Sequence, residues 1–272
     1  MKSNYIILTL IAVFALGKTQ AQTTSGGNAK VIKTLIVDGQ NNHVQWPKIT
    51  YMMKQYLEET GKFSVEVKRT HFTWQGDDLV AQYKIPGVPS TQALPKPRAD
   101  SSYLIDFSKY DLVVCNFGWN AAPWPDATQA NFEAFIKNGG GLVVVHAADN
   151  SFPNWPAYNK MIGLGGWGDR TEKDGPYVYY DQEGKLIRDT QPGKAGSHGA
   201  QAEFQVTIRN SKHPITRGMP LSWMHTKDEM YDRLRGPAEN MEVLATAFSP
   251  KTNRGTDHHE PMLMTIKYGK GR

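Results

Sequence analysis

The stretch FIKNGGGLVVVHAADN, residues 135–150, decides the fold of this chain. Its first residues complete an amphipathic helix that begins near Asp126, and Asn138 with three glycines ends that helix. The run at 142–145 is aliphatic and almost purely β-branched, which is typical of a strand buried on both faces of a parallel sheet. A polar loop beginning at His146 follows directly. The stretch therefore predicts a helix, a strand and a polar loop in succession.

The same alternation of strands and helices extends toward the N-terminus. Largely apolar runs at 31–37 and 110–115, and the alternation of apolar and polar residues at 63–67, predict three more strands. Between the first two, apolar residues from Ile49 to Leu57 recur at three- and four-residue spacing, which predicts a helix. This order predicts an α/β domain of the flavodoxin-like type, with a mostly parallel sheet flanked by helices on both sides.

Two long stretches interrupt this pattern. Residues 72–102 carry four prolines and are predicted to form an insertion loop. Residues 171–199 form a second polar stretch, in which the run YVYY at 177–180 predicts a hairpin. Further strands are predicted at 203–208, 242–247 and 261–267.

Composition limits the classes of function. The 272 residues are 39% hydrophobic and 21% charged, so one globular domain can fold without a disulfide or a structural metal. The net charge is +5 and the basic residues are scattered, so no nucleic-acid partner is expected. The single cysteine excludes disulfide scaffolds and cysteine-based zinc sites. Cys115 ends an apolar strand, where inert packing is favoured over catalysis.

The N-terminal residues have the layout of a secretory signal peptide. A basic start is followed by an apolar run at 5–16, shorter than the roughly 20 residues that span a bilayer, and then by small residues. We expect residues 1–21 to be a signal peptide, 22–29 to be a disordered leader, and 30–272 to be the folded domain. The expected location is the periplasm or the exterior of the cell, without a membrane span.

Polar side chains follow three predicted strands at the point where each strand ends. His43 follows the first strand, Asn116 the third and His146 the fourth. Because ligands of open α/β sheets bind beyond the carboxyl ends of the strands, we expect these residues to share one rim. Imidazoles there could bind a metal or carry protons, and they could equally form hydrogen bonds with the backbone.

Two later loops add candidates to this rim. His225, Asp228 and Glu229 come from the first loop, and His259 comes from the second. The predicted catalytic residues are His43, His146, Asp228 and Glu229. The candidate ligands of a divalent metal are His43, His146, His225 and His259. The sequence has no HExxH motif, so the cofactor stays open.

Tryptophans in or beside loops give a second indication. They are Trp46, Trp119, Trp124, Trp155 and Trp167. An indole offers a flat apolar face and one donor, which suits stacking on a sugar ring, although each could also fill the space beneath its own loop. The predicted substrate-binding residues are Asn116, Trp119, Asn150, Trp155, Trp167 and Arg170.

The segment GLGGWG at 163–168 matches the GxGxxG pattern. A dinucleotide site needs that pattern between a strand and a helix, and here it follows a predicted helix. No nucleotide cofactor is expected.

Several longer motifs together resemble one family. They are YDLVVCNFG at 110–118, FIKNGGGLVVVHAADNSFPNW at 135–155, HPITRGMP at 213–220, DEMY at 228–231 and YGKGR at 268–272. Their order and spacing resemble ThuA-like proteins, the trehalose-utilisation family, over residues 30–272. The resemblance implies a fold similar to class I glutamine amidotransferases and a link to sugar breakdown, including routes through 3-keto-glycosides.

The resemblance also excludes one chemistry. In the amidotransferases a nucleophilic cysteine sits at the sharp turn between a strand and the next helix, and the corresponding turn here carries His146. Cys115 lies on another strand, so glutaminase activity is not expected. Family members usually continue beyond the segment that ends this chain at Arg272, which makes the chain a candidate fragment of the domain.

Two functions of different classes stay open. The first is an exported enzyme acting on a glycoside or 3-keto-glycoside, with lyase or hydrolase chemistry carried by histidine acid/base groups or a histidine-bound metal. The second is a non-catalytic carbohydrate-binding or accessory protein of a sugar-utilisation system. A retaining glycosidase needs two carboxylates about 5 Å apart, and the sequence singles out no such pair. The expected partner is a small sugar or glycoside, and the oligomeric state stays open.

Overall fold

A parallel five-stranded sheet forms the first half of the protein in the computed structural model, which describes residues 30–272. Its strands, numbered in chain order, are β1 (Ile32–Gln40), β2 (Phe63–Trp74), β3 (Gln92–Leu94), β4 (Leu112–Cys115) and β5 (Gly141–Val144). They lie in the order β3-β2-β1-β4-β5, with every neighbouring pair parallel. The direction of winding reverses between β1 and β4, where an open α/β sheet forms a crevice for ligands.

Helices pack on both faces of this sheet, which confirms the predicted fold class. They are α1 (Trp46–Glu59), α2 (Asp77–Gln82), α3 (Asp126–Lys137) and α4 (Pro156–Ile162). On β1, Ile36 packs on the face that includes Leu57 of α1, whereas Leu35 packs on the other face with Phe132 of α3 and Tyr158 of α4. Each such buried side chain contributes about 1.5–3 kcal/mol, so two apolar layers hold the sheet between its helices.

Two predictions about this sheet are wrong. β5 forms an edge of the sheet and Val143 is 44% exposed, so this strand is not buried on both faces. The stretch 72–102 is not a plain loop, because β2 continues to Trp74 and α2 and β3 lie within the stretch. β3 pairs with the last residues of β2 and so adds an outer parallel strand.

The second half of the chain is antiparallel. Its strands are β6 (Tyr177–Tyr180), β7 (Leu186–Asp189), β8 (Ser197–His198), β9 (Ala202–Ile208), β10 (Ser222–Asp228), β11 (Tyr231–Asp232), β12 (Met241–Ser249) and β13 (His258–Ile266). Six of them form a sheet in the order β10-β9-β12-β13-β6-β7, while β8 and β11 pair with each other. The predicted hairpin is confirmed as β6 and β7. β10 replaces the loop expected around His225.

The predicted signal peptide at 1–21 and leader at 22–29 lie outside the described residues. From Val31 to Arg272 the chain packs as one unit. Within the described part, none of the helices combines the length and the apolar character that crossing a bilayer requires.

Candidate functional site

Two histidines meet at the carboxyl end of the parallel sheet, as predicted. His43 lies between β1 and α1, and His146 follows β5. Their ring centroids are 4.8 Å apart, with the rings inclined by 63°. The buried Asn41 positions the first of them, because its Oδ1 accepts a hydrogen bond from the His43 N–H (2.9 Å) and its Nδ2 donates to the Phe117 carbonyl (2.9 Å).

The backbone of His146 is strained. This residue begins a 3₁₀ turn, His146–Asn150, immediately after β5, and its φ is +41°. The left-handed region costs a residue with a Cβ about 1–2 kcal/mol, and such strain clusters at active sites. A sharp, strained turn of this type exposes the nucleophile in enzymes with a strand-turn-helix elbow. Here the same geometry presents an imidazole.

A carboxylate and a phenol from the antiparallel half complete the group. Glu229 Oε2 lies 4.0 Å from His43 Nε2, and one potential ligand atom from each of His43, His146 and Glu229 falls within 4.8 Å of the others. Tyr231 Oη lies 3.4 Å from His43 Nε2, and the Tyr231 ring centroid lies 4.6 Å from that of His146. We refer to these four residues as the rim cluster.

The surroundings of the rim cluster set its protonation. Partial desolvation of the ring, followed by the neighbouring His43, lowers the pKa of His146 to about 4, while Asp228 and Glu229 act in the opposite direction. The residue still has solvent access. Its imidazole is therefore neutral near pH 7 and keeps a lone pair for a proton or a metal. Burial raises the pKa of Tyr231 above its usual range, so its phenol remains a proton donor.

His198 is a site residue that the sequence did not single out. Its Nδ1 lies 2.7 Å from the Gly199 carbonyl oxygen, and because a carbonyl only accepts, the proton is assigned to Nδ1. Nε2 is then a free lone pair, 3.9 Å from Glu229 Oε2. The short ladder between β8 and β11 places His198 directly opposite Tyr231. In the sequence, the only signal was a histidine in a glycine-containing loop.

Asp228 lies at the edge of this group. Its Oδ1 accepts a hydrogen bond from the Glu229 N–H (2.8 Å), and its charge is close enough to act on the pKa of His146. It therefore supports the position of Glu229, and it is not one of the three grouped ligands.

Two predicted metal ligands lie elsewhere. His225 is on β10, where its ring stacks on Phe204 at 4.8 Å between centroids. His259 is on β13, and its ring packs against Phe248 at 5.2 Å. Within residues 30–272, neither joins a group of three potential ligands. Both assignments are corrected, because strand pairing fixes each histidine against a cross-strand aromatic ring.

Two predicted substrate-binding residues are interior structural residues. Asn116 is 2% exposed, and its Nδ2 donates to Thr50 Oγ1 (2.9 Å) and to the Trp46 carbonyl (3.0 Å). Arg170 is 3% exposed and donates to the Ser151 carbonyl at 2.9 Å, among other interior acceptors. Their polar atoms are thus engaged within the protein, and this corrects both assignments.

The other predicted binding residues either contact Tyr231 of the rim cluster or line a cavity. Asn150 is 1% exposed, its Nδ2 donates to Tyr231 Oη (3.3 Å) and its Oδ1 accepts from the Gly166 N–H (3.1 Å), so this amide positions Tyr231. The Trp167 ring centroid lies 4.6 Å from that of Tyr231. Trp119 is 41% exposed. Trp155 is 5% exposed and lines a cavity that Asn150 and Trp119 also line.

These features define the class of the protein. It is an α/β protein with a class I glutamine amidotransferase-like fold, in which a histidine stands at the strained strand-to-helix turn. Cys115 is fully buried, and burial raises the pKa of its thiol to about 11, so it does not replace the missing nucleophile.

Comparison with known families identifies the particular group. The ThuA family model, described as trehalose utilisation, matches residues 97–272, and the chain belongs to this family. A ThuA-like protein from Parabacteroides merdae is 39% identical, with a TM-score of 0.74 over 89% of this chain and 77% of that one. A second, from Bacteroides uniformis, is 19% identical, with a TM-score of 0.55 over 90% of this chain and 81% of that one, and shows the shared fold. The curated proteins contain no match to this chain.

Proposed function

We propose that this protein is a carbohydrate-processing enzyme that acts on a glycoside or 3-keto-glycoside, using a divalent metal held by His43, His146 and Glu229. The family description, trehalose utilisation, supports the substrate class. The observation that carries the enzymatic proposal is the approach of these three side chains, from separate loops, to within 4.8 Å of one another.

The donor set suits a catalytic metal. Two imidazoles and one carboxylate are a common set for zinc and related ions, and three protein ligands leave a coordination position for water or substrate. Ligand atoms around a tetrahedral zinc with bonds of about 2.1 Å lie about 3.4 Å apart. Small rotations of the partly exposed His43 and Glu229 side chains would close the group onto an ion.

A 3-keto sugar suits such a site. A metal held by His43, His146 and Glu229 would supply positive charge that acidifies the C–H bond beside the ketone. In the elimination, a base would take the C2 proton, the electrons of the C2–H bond would form a C1–C2 double bond, and the bond from C1 to the anomeric oxygen would break, leaving the ketone at C3 in place. In the proposed roles, His198 Nε2 accepts the C2 proton and the Tyr231 phenol protonates the leaving oxygen. Water added later across the double bond gives the free keto sugar.

Turnover of 3-keto-trehalose tests the proposal. The purified protein is stripped with chelator, reloaded with Zn²⁺, Mn²⁺ or Mg²⁺, and assayed for released glucose. We expect turnover only after reloading, and a loss of at least about 100-fold in His146→Ala. The matched controls His225→Ala and His259→Ala should retain wild-type turnover.

The same assay separates the two classes of function. Turnover without metal that still needs His146 would favour histidine acid/base chemistry over a metal. If the sugar binds but no metal produces turnover, the protein is a carbohydrate-binding or accessory protein. In that case the enzymatic proposal fails.

We also propose that the protein is exported. The support is the sequence of residues 1–21, which has the basic, apolar and small-residue segments of a signal peptide. N-terminal sequencing of the protein from its native host should then begin at Gln22 in a periplasmic or secreted fraction. A start at Met1 in the cytoplasmic fraction would contradict export.

A further inference from the structure

A cavity of about 250 Å³ is lined in part by Asn150, whose side chain contacts Tyr231 of the rim cluster. Its walls come from the loop after β4, which contains Trp119 and Asn120, and from the loop before α4, which contains Asn150, Phe152 and Trp155. We refer to it as the Trp119 cavity. Both loops leave the carboxyl ends of parallel strands, so the cavity opens on the same side of the sheet as the histidines.

One hydrogen bond connects a wall of the Trp119 cavity to the rim cluster, and a second reaches the residue before His43. Asn150 lines the cavity and donates from Nδ2 to Tyr231 Oη (3.3 Å). On the other wall, the Trp119 N–H donates to Asn42 Oδ1 (2.9 Å), and Asn42 directly precedes His43. The walls of the cavity are therefore in contact with residues of, or next to, the rim cluster.

The walls of the cavity are amphipathic and uncharged. Indole, phenyl and proline surfaces alternate with four side-chain amides, those of Asn120, Gln129, Asn150 and Asn154, and no lining residue is charged. The Gln129 and Asn150 amides donate to the Trp124 carbonyl and to Tyr231 Oη, whereas those of Asn120 and Asn154 have no hydrogen-bond partner within residues 30–272. Amides both donate to and accept from hydroxyl groups, and indole faces pack on C–H bonds. This chemistry matches a neutral polyol ring and supplies no cationic group to balance the charge of a phosphate or a carboxylate.

The walls are also preformed. Asn120 and Phe152 have φ of +63° and +50°, so both are held in the left-handed region. Trp155 is fixed from behind, because its indole N–H donates to Glu133 Oε1 of α3 (2.6 Å). Trp119, in contrast, is 41% exposed and presents its indole to solvent at the cavity. A rigid wall with one accessible aromatic face loses little entropy when a ring binds.

We propose that the Trp119 cavity is the subsite for an uncharged pyranose ring, namely the unoxidised sugar that leaves from the anomeric carbon. This rests on the proposed function, because the rim cluster then holds the keto sugar and the cavity holds its neighbour. The volume lies just below the roughly 300–1,000 Å³ of common small-molecule pockets, so it accommodates one ring.

Binding of methyl α-glucopyranoside tests this assignment without turnover. Titration followed by saturation-transfer NMR should show binding to the wild type and to His146→Ala, and at least about tenfold weaker binding to Trp119→Ala. Trp119→Phe should restore most of the affinity. The control Met224→Ala removes an apolar side chain that is 62% exposed and lies outside the cavity, and it should bind as the wild type does.

The outcome is independent of whether the protein is an enzyme. Equal affinity in the wild type and Trp119→Ala, or tighter binding of glucose 6-phosphate than of the neutral glucoside, would overturn the subsite. If turnover is found, Trp119→Ala should lower kcat/KM about tenfold for 3-keto-trehalose and leave it within twofold for methyl 3-keto-glucoside. An equal loss on both substrates would contradict a leaving-group subsite.

Discussion

Two polar groups lie near the carboxyl end of β1, and their hydrogen bonding differs. Asp38, near the end of β1, accepts hydrogen bonds from Arg69 Nε (2.9 Å), Arg69 Nη2 (2.8 Å) and Thr50 Oγ1 (2.7 Å). The Asp38 side chain is fully buried and that of Arg69 is 2% exposed. Every charged atom of the carboxylate is thus satisfied within the protein.

The rim cluster, in which only His43 is near Asp38 in the chain, is not held by such short internal hydrogen bonds. Its polar atoms approach at 3.4 Å between His43 and Tyr231 and at 4.0 Å between His43 and Glu229. These separations exceed good hydrogen-bond lengths, and the His43 side chain is 27% exposed. The difference teaches that internal hydrogen bonding, and not residue type, separates structural polar groups from groups arranged for a ligand.

The largest expected change in stability comes from breaking the closed group. Asp38→Ala leaves the buried Arg69 guanidinium without its carboxylate, which should lower the free energy of unfolding by about 3–5 kcal/mol. Urea denaturation measures this change. The control Glu239→Ala, which removes an exposed carboxylate 3.8 Å from Lys160, should cost less than about 1 kcal/mol. Equal losses would erase the distinction between the two groups.

The strained turn should respond in the opposite sense. His146→Gly should remove about 1–2 kcal/mol of backbone strain, because glycine has no Cβ to oppose the left-handed conformation. The variant should therefore be at least as stable as the wild type, and it should lose activity. His43→Gly, at a position without positive φ, should instead lose about 0.5–1 kcal/mol. Thermal unfolding of both variants checks the contrast. A clear loss of stability in His146→Gly would contradict stored strain.

Lowering the pH should affect the rim cluster through His146. The pKa of His146 is about 4 in the folded protein, whereas that of a histidine in an unfolded chain is near 6.5. As the pH falls, the unfolded chain therefore takes up a proton at His146 before the folded protein does. The stability contributed by neutral His146 is therefore complete above about pH 6.5 and is lost toward pH 4. Urea midpoints of the chelator-treated protein from pH 7 to 4 should fall less steeply in His146→Asn. Parallel curves would show that this histidine is not responsible.

The smallest expected change in stability is that of Tyr231→Phe. The contacts of its hydroxyl with His43 Nε2 and Asn150 Nδ2 are long, at 3.4 and 3.3 Å, so the free energy of unfolding should change by less than about 1 kcal/mol. As a proton donor it should still matter, with kcat falling about 100-fold and KM changing little. An unchanged kcat would remove Tyr231 from the proposed chemistry.

The parallel half of the fold could be predicted because its signals are local. Aliphatic runs and helical spacing indicated β1, α1, β4 and β5, and the rule that ligands bind beyond strand ends brought His43 and His146 together. The same rule selected Asn116, because sequence does not show that its amide is already bonded to Thr50.

The antiparallel contribution to the site depends on contacts between distant residues. β8 and β11 are two residues each, too short for a periodic signal, and only their pairing places His198 opposite Tyr231. All residues of β10 are at least partly exposed, and its sequence shows no alternation of apolar and polar residues. For that reason neither the strand nor the position of His225 on it was predicted. Glu229 was predicted by its type, while its approach to His43 could be found only in three dimensions.

Metal binding tests most directly whether the open group at the rim is the functional centre. Chelator-stripped protein is titrated with Co²⁺ and Zn²⁺, following the visible absorption of Co²⁺ and the heat of binding. We expect one ion per chain in the wild type, His225→Ala and His259→Ala, and its loss in His146→Asn and Glu229→Gln. No ion bound by the wild type, or full binding by His146→Asn and Glu229→Gln, would contradict a metal centre formed by His43, His146 and Glu229.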